Sequence, residues 1–284
     1  MVWRNLVTTA IVTFLAIGPA CATESVSPPA QPIVPAHYVT PLPTPHRAVY
    51  NLSLATTRSG NGVLGASGRM IYALADTCDG WTTETHNSLE ITDDRGTTDS
   101  SGWDLISWES KDGLNYRFHV RSTESGKVSE TIDGTAHLTS PGGAGVAQFT
   151  APEVKTIPLP KGTLFPTQHT MALLAHAAAG EKIMARSVFD GSEVGPPWLI
   201  NAVLGQELPA GTAGELADPL LKETPSRRFG MAYYKTDDED PVPYQQIQMR
   251  YHDNQIAEEV HQDFGLFSIN AHLTELKPLP KPDC

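Results

Sequence analysis

Hydrophobic and polar residues alternate along most of the chain from His46 onward. Between residues 48 and 54 every even position holds an apolar side chain, and residues 64–74 repeat this period of two. A period of two is typical of a half-buried β-strand. The polar, glycine-rich residues 56–62 between the two stretches supply the backbone freedom of a turn. The pattern therefore predicts a β-hairpin that leads directly into Cys78.

Further strand patterns follow at short intervals. The clearest covers residues 114–120, where Leu114, Tyr116 and Phe118 alternate with polar side chains. Strands are also predicted at residues 81–91, 103–107, 128–138, 146–149, 154–159, 182–189, 198–208, 228–235, 244–251, 255–264 and 266–276. Residues 209–225 contain several prolines and glycines, which interrupt helices and strands, and show no periodicity. We therefore expect a long loop there.

One stretch has a helical period instead. Met171, Leu174 and Ala178 recur at spacings of three and four residues, with Thr167 as the predicted N-cap and Gly180 as the end of the helix. Since no linker interrupts the remaining pattern, we predict one continuous, antiparallel all-β domain over residues 46–284 with one short helix.

The first 45 residues differ in composition from this domain. Residues 1–22 combine Arg4, a short apolar run and a small-residue site, the layout of a cleaved secretory signal with cleavage after Ala22. Cys21 could alternatively carry a lipid anchor. Residues 23–45 hold seven prolines and predict an extended leader. The mature chain is therefore expected to be exported, without a transmembrane segment.

Charge and cysteine content narrow the function. The sequence has 32 acidic and 20 basic residues, a net charge of −12, which disfavours binding to nucleic acid or to an anionic bilayer. If Cys21 is removed with the signal, Cys78 and Cys284 remain, and a disulfide between them is the simplest outcome in an oxidising compartment. An intermolecular bond or a redox-active pair are the alternatives.

Catalytic motifs are weak. Residues 60–65 match the glycine pattern of dinucleotide sites, but they join two predicted strands instead of a strand and a helix. His252, His261 and His272 lie on three successive predicted strands, and polar positions on a solvated sheet face explain them as well as a metal site does. No hydrolase motif is found, and we predict no catalytic residue, metal or cofactor.

An apolar binding face is the remaining candidate site. The side chains predicted to face inward, and to form either such a face or a filled core, are Met70, Tyr72, Leu114, Tyr116, Phe118 and Met249.

Three stretches together resemble the EipB family of periplasmic cell-envelope integrity proteins of Gram-negative bacteria. They begin HRAVYNLSLATTRSGNGVLG, LPKGTLFPTQHTMALLAHAAAG and YHDNQIAEEVHQDFGLFSIN. The resemblance implies an all-β fold, in which a single long antiparallel sheet is curled into a β-spiral or open barrel with one helix packed beside it. It also implies a disulfide between an early and a C-terminal cysteine, which Cys78 and Cys284 match. Residues 209–225 match no family feature.

Three functions follow from these observations. The first is a non-enzymatic periplasmic protein that supports envelope integrity by binding protein or lipid partners. The second is a lipid or lipoprotein carrier of the open-barrel type, and the third is a metal-dependent hydrolase.

Overall fold

A computed structural model describes residues 42–58, 62–212, 214–237 and 242–284. The predicted signal at residues 1–22, Cys21, the leader as far as residue 41 and part of the glycine motif lie outside these residues. At the start of the described chain Pro43 and Pro45 are buried, and the Thr44 amide donates to the carbonyl of Asn254. The end of the leader therefore packs against the domain.

Fourteen strands and two helices make up the described chain. The strands are β1 (His46–Thr57), β2 (Val63–Asp76), β3 (Gly80–Asp93), β4 (Thr98–Ser110), β5 (Asn115–Glu124), β6 (Lys127–Leu138), β7 (Gly145–Ala151), β8 (Lys155–Leu159), β9 (Ile183–Val188), β10 (Trp198–Leu208), β11 (Ser226–Tyr234), β12 (Gln245–His252), β13 (Ala257–Asp263) and β14 (Phe267–Pro278). The helices are α1 (Pro166–Ala178) and α2 (Pro219–Lys222).

All fourteen strands belong to one antiparallel sheet, as predicted. Their order is β8-β7-β6-β5-β4-β3-β2-β1-β14-β13-β12-β11-β10-β9, so the first and last strands pair at the centre and the middle of the chain forms both edges. The predicted hairpin is confirmed, since Ala48 pairs with Tyr72 and Tyr50 with Met70. Consecutive strands are neighbours almost everywhere, which explains why local alternation predicted so many of them.

The sheet curls until its two edges approach each other without pairing. Leu164, which follows edge strand β8, forms a single parallel bridge with Val188 at the end of edge strand β9. Helix α1 connects the two edges. The curl brings β5 and β12 to opposite walls of one interior, because Tyr116 and Met249 line the same cavity.

Three clusters of buried side chains fill much of the interior. The first centres on Phe118, Phe149 and Phe189, whose ring centroids are 5.4–6.1 Å apart. The second packs Leu173 of α1 against β9–β12, and the third packs Leu221 of α2 against the central strands. Both helices thus cover the sheet.

Two predictions about the helical segments were wrong. Phe165, not Thr167, is the N-cap of α1, and its side chain makes no capping hydrogen bond. Residues 209–225 are not a plain loop, because they include α2, which the Asp218 carboxylate caps by accepting a 2.9 Å hydrogen bond from the Leu220 amide. Local spacing missed both features. The carboxylate that accepts hydrogen bonds from the first amides of α1 is Glu109 on the distant strand β4, and α2 has only four residues.

A disulfide joins Cys78, in the turn between β2 and β3, to Cys284. The Cα atoms are 5.9 Å apart, and the bridge spans 206 residues of sequence. The bridged segment after β14 is largely exposed. The bond therefore holds the C-terminal residues on a sheet against which they bury little surface.

Candidate ligand cavity

The side chains on the inner face of neighbouring strands form a run along the inside of the curled sheet. These positions are Thr83, Thr85, Asn87 and Leu89 on β3 and Ser101, Trp103 and Leu105 on β4. Because alternate residues of a strand face the same side, the six-residue step from Thr83 to Leu89 covers about 20 Å. The unfilled part of the interior therefore extends along about 20 Å of β3.

The inner cavity lies next to α1 and has a volume of about 320 Å³. Four tyrosines border it, namely Tyr50, Tyr72, Tyr116 and Tyr251, together with the thioethers of Met70 and Met249. The Tyr50 and Tyr116 hydroxyls donate to the carbonyls of Ala257 and Asp190, at 2.8 and 2.9 Å. Burial raises the pKa of each of the four tyrosines, so their hydroxyls stay uncharged.

The outer cavity continues from the inner one and has a volume of about 560 Å³. The two cavities share Met70, Asp190, Val260 and Gln262 as wall residues. The outer cavity reaches the exposed residues Ser101, Glu124 and Ser129 near the tips of β4–β6. Both volumes lie in the range of small-molecule sites, about 300–1,000 Å³.

Four of the six inward residues singled out from the sequence meet at the inner cavity: Met70, Tyr72, Tyr116 and Met249. Leu114 and Phe118 lie in the first packed cluster instead. A Cβ atom on Gly191 would come within 2.5 Å of the Phe118 ring, so the chain after β9 lies directly on that ring. The interior is filled at Phe118 and open at Met70.

Glu109 closes the α1 end of the interior. It lies on the inner face of β4 beyond Leu105 and Ser107 and is 1% exposed. Its carboxylate accepts hydrogen bonds from the amides of Thr167 and Gln168, at 2.7 and 2.9 Å. Burial raises the pKa of Glu109 to about 7, although these two bonds favour its ionised form. Glu109 thus does what the side chain of the N-cap residue Phe165 does not, because it accepts hydrogen bonds from the first amides of α1. These bonds hold the start of the helix beside the inner cavity.

A second buried carboxylate organises residues 209–225. Glu258 accepts a 2.7 Å hydrogen bond from the Glu215 amide, and its second oxygen lies 3.1 Å from His252 Nε2 and 3.5 Å from Arg250 Nη1. Burial opposes ionisation, but the bonds to His252 and to the loop amides hold the pKa of Glu258 below its usual range. A Cβ on Gly214 would come within 2.4 Å of this carboxylate. The 209–225 segment is thus clamped to β12 and β13.

The three C-terminal histidines have three different side-chain partners. His252 contacts Glu258, His261 contacts Asn270 and His272 contacts Glu215. No group of three or more His, Cys, Asp or Glu side chains in the described part of the chain has the arrangement of a metal site. None of the helices within the described residues has the length and apolarity needed to cross a bilayer.

Sequence reasoning identified part of this site and missed the rest. The weakly alternating set at residues 81–91 turned out to be cavity wall, through Thr83, Thr85, Asn87 and Leu89. Glu109 was missed, although it shares the parity of Trp103 and Leu105. An acid on the apolar face of a predicted strand was the signal available.

This fold and cavity define a β-barrel-like protein, in which one antiparallel sheet curls around an internal chamber. The chain belongs to the EipB-like family, whose model matches residues 39–280. It is 27% identical over 236 residues to the cell envelope integrity protein EipB of Brucella abortus, covering 82% of this chain and 83% of the relative. The crystal structure of a β-barrel-like protein of a domain of unknown function, also from Brucella abortus, superposes with a TM-score of 0.77. It is 25% identical, and the alignment covers 84% of this chain and 99% of that one.

Proposed function

We propose that this protein is exported to the periplasm and supports the integrity of the cell envelope as a non-enzymatic binding protein. Family membership and the printed name of the Brucella abortus relative support the envelope role. The disulfide supports an oxidising compartment, because such bonds persist outside the reducing cytosol.

The interior cavity is the observation that carries the binding function. An antiparallel sheet of this length gains stability by filling its core, and at Phe118 it does so. Around Met70 the same inner face borders two adjoining cavities instead. Apolar, concave space with a few polar groups is typical of a ligand site. Export, the family and the cavity together favour a ligand or partner from the envelope.

The polar groups of the cavity favour binding over catalysis. Asp190 accepts hydrogen bonds from the Ser192 amide and hydroxyl, at 3.0 and 2.8 Å, and Glu193 pairs with Lys235. Glu109, which lies outside the cavity lining, caps α1. These carboxylates are engaged in local structure, and a hydrolase needs such groups aimed at a substrate. For this reason we propose no metal-dependent hydrolysis.

A lipid or lipoprotein carrier is the second candidate. The adjoining cavities support it, because their length of about 20 Å along β3 suits an extended acyl chain better than a compact molecule. A carrier must also release its ligand. Transfer of a labelled acyl chain from one vesicle population to another would separate a carrier from a binding protein that retains its ligand.

Deletion of the gene and complementation test the envelope role. We expect the deletion strain to become sensitive to detergents and to cell-wall antibiotics, and the wild-type gene to restore resistance. A variant with a blocked cavity, Met70→Trp, should fail to restore resistance, whereas Met70→Leu should succeed. Both variants must first accumulate in the periplasm at wild-type level. Unchanged sensitivity of the deletion strain would contradict the proposal.

A further inference from the structure

The charge of the cavity walls restricts what the cavities can hold. Among the described residues that line the two cavities, the ionisable groups of Asp, Glu, Lys, Arg or His type are Asp190, Glu124 and Glu193. All three are acidic. The remaining polar groups are hydroxyls and amides, such as Thr85, Asn87 and Gln262.

One cation outside the walls, Lys235, contacts the outer cavity wall and is already paired. Lys235 Nζ lies 3.1 Å from Glu193 and 4.9 Å from the centre of the Tyr244 ring, and both partners belong to the outer cavity wall. Glu193 holds the pKa of Lys235 above its ordinary value even though burial opposes this. Lys235 therefore compensates one of the three acids and leaves Asp190 and Glu124 without a basic neighbour in the walls.

We propose that the cavities take an aliphatic chain whose head group is uncharged or cationic, and that they reject the same chain with an anionic head. This inference rests on the proposed ligand-binding function. A buried anion needs a paired cation or several hydrogen-bond donors. The described wall residues include no cation, and the hydroxyls of Tyr50 and Tyr116 and the side-chain amide of Gln262 already donate to protein acceptors. A cation gains from Glu124 and from aromatic rings such as Trp103 and Tyr244 at the outer cavity. Burial raises the pKa of Asp190, so this acid contributes less negative charge.

Three amphiphiles with one alkyl chain separate the contributions of chain and head group: monolaurin, laurate and dodecyltrimethylammonium. Each amphiphile is used below its critical micelle concentration to displace the uncharged fluorophore N-phenylnaphthylamine from the purified protein. We expect monolaurin and dodecyltrimethylammonium to compete, and laurate to bind at least about tenfold more weakly than monolaurin. Equal or tighter binding of laurate would overturn the inference while leaving cavity binding intact. If neither fluorophore nor amphiphile binds, the proposed ligand-binding function fails instead.

A charge introduced into the shared wall tests the cause of the selectivity. Gln262 borders both cavities, and its side-chain amide donates to Gln245 at 2.8 Å. Gln262→Lys should strengthen laurate binding and weaken dodecyltrimethylammonium binding, each by about tenfold. Gln262→Met, an uncharged change of similar size, should leave the order of the three probes unchanged. If the lysine variant melts like wild type and the order of the probes stays the same, wall charge does not set the selectivity.

Discussion

The carboxylate of Glu109 on β4 accepts a 2.7 Å hydrogen bond from the backbone amide of Thr167, the second residue of α1. Fifty-eight residues of sequence separate the two groups. The bond fixes the start of α1 to the sheet interior, where Pro166 and Thr167 border the inner cavity. It also buries a carboxylate without a basic partner among its hydrogen bonds.

Glu109 should make stability depend on pH. Its pKa rises from an ordinary 4.5 to about 7 on burial, so the folded state retains the proton longer than the unfolded state. The stability that this proton contributes is full below pH 4.5 and is lost as pH rises through about 7. We compare the free energy of unfolding of wild type with that of Glu109→Gln. The difference, wild type minus variant, should fall by on the order of 3 kcal/mol between pH 4.5 and about 7. Urea titrations at several pH values measure it.

The exposed residue Glu90 on β3 provides the control for this titration. Glu90→Gln removes a carboxylate from an exposed position of the same sheet and shows the effect of the substitution itself. A profile for Glu109→Gln that does not change with pH would contradict the assignment of the buried proton to Glu109.

The disulfide should contribute substantially to stability. Its removal by Cys78→Ala should lower the free energy of unfolding by about 2–5 kcal/mol, because the unfolded chain regains the freedom of a loop spanning 206 residues. Cys284→Ala and the double variant should lose the same amount, since each removes one bond. Denaturant titration with and without a reductant measures this, and a wild-type protein insensitive to reductant would contradict the prediction.

The clamp on residues 209–225 should depend on Glu258. Glu258→Ala leaves Arg250 buried without this carboxylate and should cost about 3–5 kcal/mol. It should also expose the segment around residue 215 to limited proteolysis, which maps the effect to the loop. Glu275→Ala, which removes a half-exposed ion pair with Arg69, should cost less than about 1 kcal/mol. Equal protease resistance in both variants would argue against the clamp.

Packed and cavity-lining positions should respond differently to truncation. Phe118→Ala removes a ring enclosed by Phe149 and Phe189 and should cost about 3–5 kcal/mol. Met70→Ala should cost less than about 2 kcal/mol, the lower limit for an enclosed methionine, because its side chain already borders open space. Thermal and urea unfolding of both variants compare them. A Met70→Ala loss as large as that of Phe118→Ala would mean that the cavity is filled core.

The sequence predicted the strands well, because strands that pair are mostly consecutive and alternation is a local signal. Strand β5, which carries Tyr116 and Phe118, shows what alternation does not predict. Both residues face inward, but Gly191 and Phe189 arrive from a distant segment to cover Phe118, whereas Tyr116 reaches the inner cavity. Which inward residues meet packing and which meet open space depends on such long-range contacts. The same holds for Glu109, whose amide partners lie on α1.

Native mass spectrometry of protein gently purified from the periplasm shows whether the cavities carry a ligand. We expect a bound amphiphile without net negative charge in the wild-type protein and in Met70→Leu, and its loss in Met70→Trp, which places an indole between the two cavities. All three proteins should show the same melting temperature within a few degrees. Wild-type protein that carries no amphiphile and takes up neither monolaurin nor dodecyltrimethylammonium would contradict the account.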